Sequence, residues 1–118
     1  MIVGIGIDIV EITRFNRLVS NKKFMERVFT KNEIKLINSN PTIAADNFCV
    51  KEALVKAYGT GFRKIDPSHI EVLRNSDGAP IVNFYEEASE FFSSFKTHIS
   101  ISNTNKLSTA YVIIEELK

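Results

Sequence analysis

The chain opens on a stretch in which residue types alternate, Ile2-Val3-Gly4-Ile5-Gly6-Ile7-Asp8-Ile9-Val10. Side chains of a β-strand point alternately to opposite faces. The spacing therefore predicts a strand with branched apolar residues on one face and Gly4, Gly6 and Asp8 on the other. A carboxylate in an otherwise apolar strand is costly to desolvate, so Asp8 needs a partner. Two partners are open: the N-terminus of the next helix, which favours an acidic cap, or a metal ion.

The longest predicted helix runs from about Thr42 to Tyr58, a stretch without Pro or Gly that ends at Gly59-Thr60-Gly61. Within it Glu52 and Lys56 lie four residues apart on one face, and taken alone they are typical of a surface ion pair. Together with Asp8 on a facing element, however, Glu52 would supply the second carboxylate of a Mg²⁺ site. The glycine-rich end fits a helix stop as well as a phosphate-binding nest.

The remaining segments predict an α+β fold, with an N-terminal strand and helices followed by antiparallel strands. Thr13 is expected to cap a first helix, and Thr30 with Glu33 forms a predicted capping box. Residues 70–73 and 81–84 flank a turn signal and predict a β-hairpin. A helix over 85–95 and two further strands, around Ile99 and over 109–115, complete the prediction. The whole chain, 1–118, is expected to form one domain.

Composition narrows the class of protein. Fifteen basic and fourteen acidic side chains give a formal charge of +1, which does not indicate a nucleic-acid binder. The single cysteine, Cys49, cannot form an internal disulfide and has no base in view, so thiol chemistry is not expected. No apolar run approaches the roughly 20 residues of a membrane-spanning helix, and no leader pattern precedes the first strand. We therefore expect a cytoplasmic protein with no membrane anchor.

Three blocks of the sequence, in this order, resemble the holo-acyl-carrier-protein synthases, the short single-domain class of 4′-phosphopantetheinyl transferases. They are Gly4 to Ile12 with Arg14 just beyond, Phe48-Cys49-Val50-Lys51-Glu52-Ala53 running on to Lys56-Ala57-Tyr58-Gly59-Thr60-Gly61, and Ser100-Ile101-Ser102. Weaker support comes from 29–33 and 78–80. The resemblance spans nearly the whole chain, and the family's fold, chemistry and partners become expectations for it.

The resemblance implies an enzyme that transfers the 4′-phosphopantetheine group of coenzyme A to a serine of acyl carrier protein, a step of fatty acid biosynthesis, releasing adenosine 3′,5′-bisphosphate. Asp8 and Glu52 match the metal-binding acids of the family and would hold Mg²⁺, the expected cofactor. Lys56 matches a lysine near the phosphates, and these three residues are the predicted catalytic group. Either a metal-bound water or Glu52 could accept the serine proton.

The resemblance also assigns binding roles. The residues expected to contact the nucleotide are Lys56, Gly59, Thr60, Gly61, Ser102, Asn103 and Thr104. Arg14 matches a basic position on the helix that meets the acidic carrier protein, and Arg17 is predicted to join it, with Lys22, Lys23 and Arg27 as a possible extension. For each of the last four, a solvated surface charge is an equally good interpretation. The family forms homotrimers with active sites between subunits, so a trimer is expected.

Two positions depart from the family pattern. Asn103 stands where the family usually has a histidine, and Asn47 where it usually has an arginine. Both substitutions are expected to fall on the donor side and to weaken coenzyme A binding, since an amide carries no charge. An alternative hypothesis is therefore a binding module that docks carrier protein or nucleotide but has lost transfer chemistry. A second alternative is a purely structural α+β domain.

Overall fold

The α+β prediction is confirmed by a computed structural model, which describes residues 1–59, 62 and 64–117. The elements follow in the order β1 (Ile2–Glu11), α1 (Ile12–Val19), α2 (Lys22–Val28), α3 (Lys31–Ser39), α4 (Thr42–Tyr58), β2 (Ile70–Arg74), β3 (Pro80–Phe84), α5 (Glu86–Phe92), β4 (Phe95–Asn103) and β5 (Leu107–Glu116), with a short 3₁₀ helix at Pro67–His69. In these described ranges no helix is both long enough and apolar enough to cross a bilayer.

The strands form two antiparallel sheets. One has three strands in the order β1-β5-β4, and the other is the predicted hairpin of β2 and β3. In the larger sheet Asp8 on β1 lies opposite Ala110 on β5, which in turn lies opposite Ile101 on β4. The first and the fourth strand are therefore the two edges of one sheet, with β5 between them.

Helix α4 packs directly on the glycine face of β1. A Cβ atom at Gly6 would lie 1.8 Å from the carbonyl oxygen of Ala53, and one at Gly4 would lie 2.0 Å from that of Ala57. No side chain fits in that space, so only glycine permits this approach of strand and helix. The alternation predicted from the sequence is thus confirmed, and the bare backbone of β1 is the surface on which α4 rests.

The other face of β1 is apolar and exposed. Ile5, Ile7 and Ile9 are 55%, 56% and 63% exposed, and Tyr111 of the neighbouring strand is 43% exposed. Monomeric proteins seldom leave a row of branched side chains in water. This outer face therefore differs from the inner one, where the core forms between the sheet and α4.

A buried ion pair ties the helices together behind α4. Lys51 is fully buried, and its Nζ donates hydrogen bonds to Glu33 Oε1, the carbonyl oxygen of Val28 and that of Pro67, at 2.7, 2.7 and 2.8 Å. All three donors of the ammonium group are thus satisfied. The contact joins the end of α2, the start of α3 and the 3₁₀ helix to one residue of α4.

The element boundaries follow the sequence prediction with two corrections. Thr30 and Glu33 form the predicted capping box. Thr13, however, is not a cap: α1 begins at Ile12, whose N–H donates to the carbonyl oxygen of Lys106, because β1 leads directly into the helix. The helix predicted over 85–95 is also shorter, since Phe95 pairs with Glu116 as the first residue of β4.

Candidate active site

Asp8, Glu52 and Lys56 come together where β1 meets α4. Asp8 points to the inner face of the strand, and the Nζ of Lys56 donates to Asp8 Oδ1 and to the carbonyl oxygen of Ile7, both at 3.0 Å. The two interpretations drawn from local spacing are therefore wrong. Asp8 does not cap α1, whose N-cap residue is Glu11, and Lys56 pairs with Asp8 rather than with Glu52.

The charges of Asp8 and Glu52 influence each other. Burial raises the pKa of Glu52, the negative charge of Asp8 raises it further, and Lys56 opposes both effects. Two carboxylates whose charges repel each other favour a divalent cation between them. Among the residues that the structure describes, no group of three or more His, Cys, Asp or Glu side chains could hold a metal ion. A pair of carboxylates fits Mg²⁺, which takes its other oxygens from phosphates and water.

Cys49 lies beneath this pair and is not a nucleophile. It is fully buried, and its Sγ contacts the carbonyl oxygen of Ser108 at 3.3 Å. Burial, followed by the charge of Asp8, raises the pKa of its thiol to about 12. The thiolate is therefore not populated near neutral pH, in line with the prediction from the sequence.

The glycine-rich end of α4 acts at least as a helix stop. Gly59 adopts a left-handed conformation with φ of 93°, and its N–H donates to the carbonyl oxygen of Val55 at 2.8 Å. This is the geometry in which glycine ends helices. Thr60 and Gly61, the other predicted nucleotide contacts here, lie outside the described residues, so their role stays a prediction.

The end of β4 is separate from the acid pair. Asn103 donates through Nδ2 to both carboxylate oxygens of Asp46, at 3.1 and 3.0 Å. The hydroxyl of Thr104 accepts the N–H groups of Lys106 and Leu107 and so closes the turn to β5, and Ser102 is exposed. Within the described chain, no hydrogen bond or ion pair joins these three residues to Asp8 or Glu52. Their predicted role requires a ligand that reaches across the sheet, or a second subunit.

Asn47 does not face a ligand, and the expectation that it lies on the donor side is wrong. Its side chain is fully buried, and Nδ2 donates to Glu33 Oε2 at 2.9 Å and to the carbonyl oxygen of Val72 at 2.8 Å. It joins α4 to α3 and β2. The loss of a charged donor at this position therefore need not weaken binding of a phosphorylated ligand.

Arg14 and Arg17 are both exposed on α1, as predicted. Arg14 borders a groove of about 420 Å³ whose walls are mainly apolar. The lining residues are Ile9, Val10, Glu11, Arg14, Phe15, Leu18 and Leu107. Arg17 lies in the last turn of α1, outside this groove.

Two polar residues near Asn103 escaped the sequence analysis. Asp46 is buried among apolar positions of α4, and Arg74 ends β2 just before a turn. Asp46 could have been noticed in the sequence, because it is an acid in the first half of a helix that is otherwise mostly apolar. Arg74 gave none, because an arginine beside a turn normally extends into solvent.

Comparison with known proteins identifies the family to which the chain belongs. A family model described as the 4′-phosphopantetheinyl transferase superfamily matches residues 4–112. This chain belongs to that superfamily. It is 46% identical to a holo-[acyl-carrier-protein] synthase of Lachnoclostridium phytofermentans, over 100% of this chain and 99% of the relative. It is also 46% identical to a holo-[acyl-carrier-protein] synthase of Clostridium tetani, over 98% of this chain and 97% of the relative.

Solved structures agree with the sequence relatives. The chain superimposes on a holo-(acyl-carrier-protein) synthase of Bacillus anthracis in complex with CoA (3′,5′-ADP), with a TM-score of 0.86, 34% identity and 99% of both chains covered. It also matches a Helicobacter pylori synthase in complex with coenzyme A, with a TM-score of 0.83, 30% identity and coverage of 94% and 99%. The resemblance inferred from three sequence blocks is thus confirmed over the full chain.

Proposed function

We propose that this single domain transfers the 4′-phosphopantetheine group from coenzyme A to a serine of acyl carrier protein, in support of fatty acid biosynthesis in the cytoplasm. The observation that carries the proposal is the convergence of Asp8, Glu52 and Lys56 where β1 meets α4. The full-length relatives named as holo-[acyl-carrier-protein] synthases support it. So do the two related structures that hold coenzyme A or its nucleotide end.

In this reaction the serine oxygen forms a bond to the phosphorus next to pantetheine. The bond from that phosphorus to the bridging oxygen of the pyrophosphate breaks, adenosine 3′,5′-bisphosphate leaves, and the serine proton passes to Glu52 or to a water molecule. Asp8 and Glu52 would hold Mg²⁺, which when bound neutralises charge on the transferring phosphoryl group. The mutual repulsion of the two carboxylates supports that assignment, because a divalent cation removes it.

Lys56 supplies a positive charge beside Asp8. Its side chain is 52% exposed whereas that of Asp8 is 14% exposed, so the ammonium group stands on the solvent side of the carboxylate. Two of its three donors point to Asp8 and Ile7, and the third can reach an incoming phosphate. Lys56 would orient the pyrophosphate and stabilise the charge that the leaving group gains.

The groove beside Arg14 supports docking of the carrier protein. It combines apolar walls with Arg14 at its edge, and Arg17 adds a second charge one helical turn further. An acidic helix with an apolar stripe would complement both features. Since the groove includes Ile9 and Glu11 of β1, a carrier bound there lies next to the strand that bears Asp8.

The exposed isoleucine face of β1 supports assembly into a homo-oligomer, which we propose is the trimer of the family. A row of three isoleucines and a tyrosine at 43–63% exposure is the kind of surface that subunit interfaces cover. Assembly would also bring the end of β4 of one subunit towards the acid pair of another. Ser102, Asn103 and Thr104 could then contact the same nucleotide as Gly59, Thr60 and Gly61.

The test is direct transfer. Purified protein is mixed with apo acyl carrier protein, coenzyme A and Mg²⁺, and the carrier is weighed by mass spectrometry. We expect the mass of one phosphopantetheine arm to be added, and the addition to stop with Glu52→Gln or with a chelator. Absence of transfer, or transfer that ignores both controls, would contradict the proposal. Carrier binding without transfer would instead support the binding-module alternative.

A further inference from the structure

Helix α4 has no polar face that would set its rotation about its own axis. Over the two turns from 49 to 55 every residue is buried except Glu52. In most helices an apolar stripe faces the core and a polar face meets water, and this division sets the rotation. Burial of apolar surface is non-directional, so it distinguishes poorly between nearby rotations of a helix that is covered on nearly all sides. A directional contact is therefore needed to keep Glu52 turned towards β1.

The glycines of β1 hold α4 from one side only. The bare backbone at Gly4 and Gly6 sets how closely the helix lies on the strand, at Ala57 and Ala53. Such a surface offers no side chains that would interlock with the ridges and grooves of the helix. It therefore fixes the distance between α4 and β1 more firmly than it fixes the rotation of α4.

Lys51 supplies a directional contact on the opposite side of α4. Its Nζ donates to the carbonyl oxygens of Val28 and Pro67 and to Glu33 Oε1, at 2.7, 2.8 and 2.7 Å. The ammonium group also lies 5.0 Å from the centre of the Phe29 ring, within the range of a cation–π contact. The three acceptors belong to three separate parts of the fold, so only one rotation of α4 brings Lys51 to all of them.

Glu33, the acidic partner of Lys51, is itself held in place. Its Oε1 also accepts the N–H of Thr30 at 3.1 Å, and its Oε2 accepts Asn47 Nδ2 at 2.9 Å and the N–H of Val72 at 3.3 Å. Both carboxylate oxygens are thus occupied by donors from α4, from β2 and from the start of α3. Because these donors fix its orientation, Glu33 is a rigid reference point for the side chain of Lys51.

A buried ion pair is a costly way to join helices. Burial raises the pKa of Glu33 and lowers that of Lys51, and the attraction between the two charges opposes both shifts. Apolar residues of similar volume commonly match or exceed the stability that such a pair provides. Apolar residues do not provide direction, however, because the angle of approach matters for hydrogen bonds and not for apolar contacts.

We propose that the ion pair of Lys51 and Glu33 fixes the rotation of α4, and that both are positioning residues for the site at β1. Successive residues of a helix are about 100° apart around its axis, so Lys51 directed to α3 leaves its neighbour Glu52 on the side of β1. The contact of Lys56 Nζ with Asp8 Oδ1 at 3.0 Å depends on the same rotation. The catalytic consequence of this inference rests on the proposed function, whereas its geometric part does not.

The experiment compares three variants at a temperature at which each is folded by circular dichroism. Lys51→Met/Glu33→Gln removes both charges together, so that no buried charge is left unpaired. Glu33→Asp keeps the charge but shortens its reach. The matched control is Val55→Ala, which lies one turn further along the stripe of α4 that carries Lys51, is 1% exposed and has an apolar side chain without directional contacts.

Transfer is measured as a function of Mg²⁺ concentration. For the double variant we expect kcat to fall, and the Mg²⁺ concentration for half-maximal transfer to rise, each by about 10- to 100-fold, the range for misplaced catalytic groups and for lost contacts behind a metal ligand. Glu33→Asp should show smaller changes in the same direction. Val55→Ala should lower the Tm but leave both quantities within about threefold of the wild type, since it leaves a cavity and removes no directional contact. Equal effects of the double variant and Val55→Ala, or wild-type kinetics in Glu33→Asp, would overturn the inference.

A crystal structure of the double variant separates this inference from the proposed function. We expect α4 to be rotated and the contact of Lys56 Nζ with Asp8 Oδ1 to be lost, a result that needs neither transfer nor metal. An unrotated α4 that keeps this contact at 3.0 Å would overturn the inference, even with a fully active wild type. A rotated helix beside an inactive wild type would support the inference and contradict only the proposed function. If the double variant does not fold, the same comparison with Glu33→Asp decides.

Discussion

A methyl group on Gly6 would lie 1.8 Å from the carbonyl oxygen of Ala53. Ala53 is the neighbour of Glu52, and Gly6 is two residues before Asp8, so this contact sets the distance between the two acids. We expect Gly6→Ala to displace α4, to lower the free energy of unfolding by at least about 3 kcal/mol, the upper range for an overpacked core, and to abolish transfer. Thermal unfolding and the mass assay measure both effects. Val3→Ile, which enlarges β1 on its outer face, should keep the fold, and a folded, active Gly6→Ala would contradict the interpretation.

Glu52→Gln should separate metal binding from folding. Because the pKa of Glu52 is raised in the folded protein, the folded form holds its proton more tightly, and stability falls as pH rises through that raised pKa. Near neutral pH without Mg²⁺, the variant should therefore be at least as stable as the wild type. Transfer should drop about 10²- to 10³-fold, as when an essential electrostatic contact is lost. Mg²⁺ should raise the Tm of the wild type but not of the variant; equal shifts in both would argue against Glu52 as a ligand.

Glu71 should make stability depend on pH in the opposite direction. Burial favours its neutral form, but hydrogen bonds from Thr30, Asn83, Tyr85 and Asn32 outweigh it and lower the pKa of Glu71. Its contribution is present above the unfolded pKa, about 4.3, and is lost as pH falls through the lower folded value. Glu71→Gln should cost about 1.5–3 kcal/mol at pH 7 and progressively less below pH 4. Denaturant unfolding across this range checks the trend, and a difference that does not change with pH would contradict it.

Asn47→Ala should lower the free energy of unfolding without changing the KM for coenzyme A. The substitution removes two buried hydrogen bonds and leaves Glu33 Oε2 and the carbonyl oxygen of Val72 short of a donor, at a cost of about 1–3 kcal/mol. KM for coenzyme A should remain within twofold of the wild type. Steady-state kinetics beside thermal unfolding tests both expectations. A large rise in KM for coenzyme A without loss of stability would show instead that Asn47 contributes to donor binding.

Arg14→Glu should weaken carrier docking alone. Reversing a charge at the edge of the groove should lower kcat/KM for acyl carrier protein several-fold at low salt, with a smaller effect at high salt, because surface charges act mainly through screened attraction. KM for coenzyme A should not change. Lys35→Glu on α3 makes the same change of net charge away from the groove. If both variants lose the same activity, Arg14 has no specific role in docking.

The parts of this protein that rest on local signals could be predicted from the sequence. The alternation in β1, the capping box at Thr30 and the length of α4 depend on neighbours within a few residues, and all three are confirmed. Glu52 and Lys56 were found by their spacing on one helix. Asp8 and Glu52 were paired as candidate metal-binding acids, but the contact of Lys56 with Asp8 was not predicted, because it spans 48 residues.

The surroundings of Asn47 and Asn103 could not be predicted for the same reason. Asn103 contacts Asp46 across 57 residues, and Asn47 meets Val72 across 25. Whether a polar side chain faces a ligand or the core depends on how α4 is rotated against the sheet and the hairpin. Residue type alone does not carry that information, so an amide in the core and an amide at the surface look alike in the sequence.

Because β1 has two different faces, it limits where the sequence can tolerate an insertion or a deletion. Moving the strand by one residue against β5 would exchange its faces, pressing isoleucines on α4 and turning Asp8 outward. The irregular pairing of β1 lies between Ile2 and Gly4, ahead of the segment that carries Asp8. An insertion or deletion of one residue between Gly4 and Asp8 would thus remove activity and the proposed subunit contact in a single event, whereas the same change before Gly4 would be absorbed. Over these five positions, the count of residues is under tighter constraint than the identity of any apolar one.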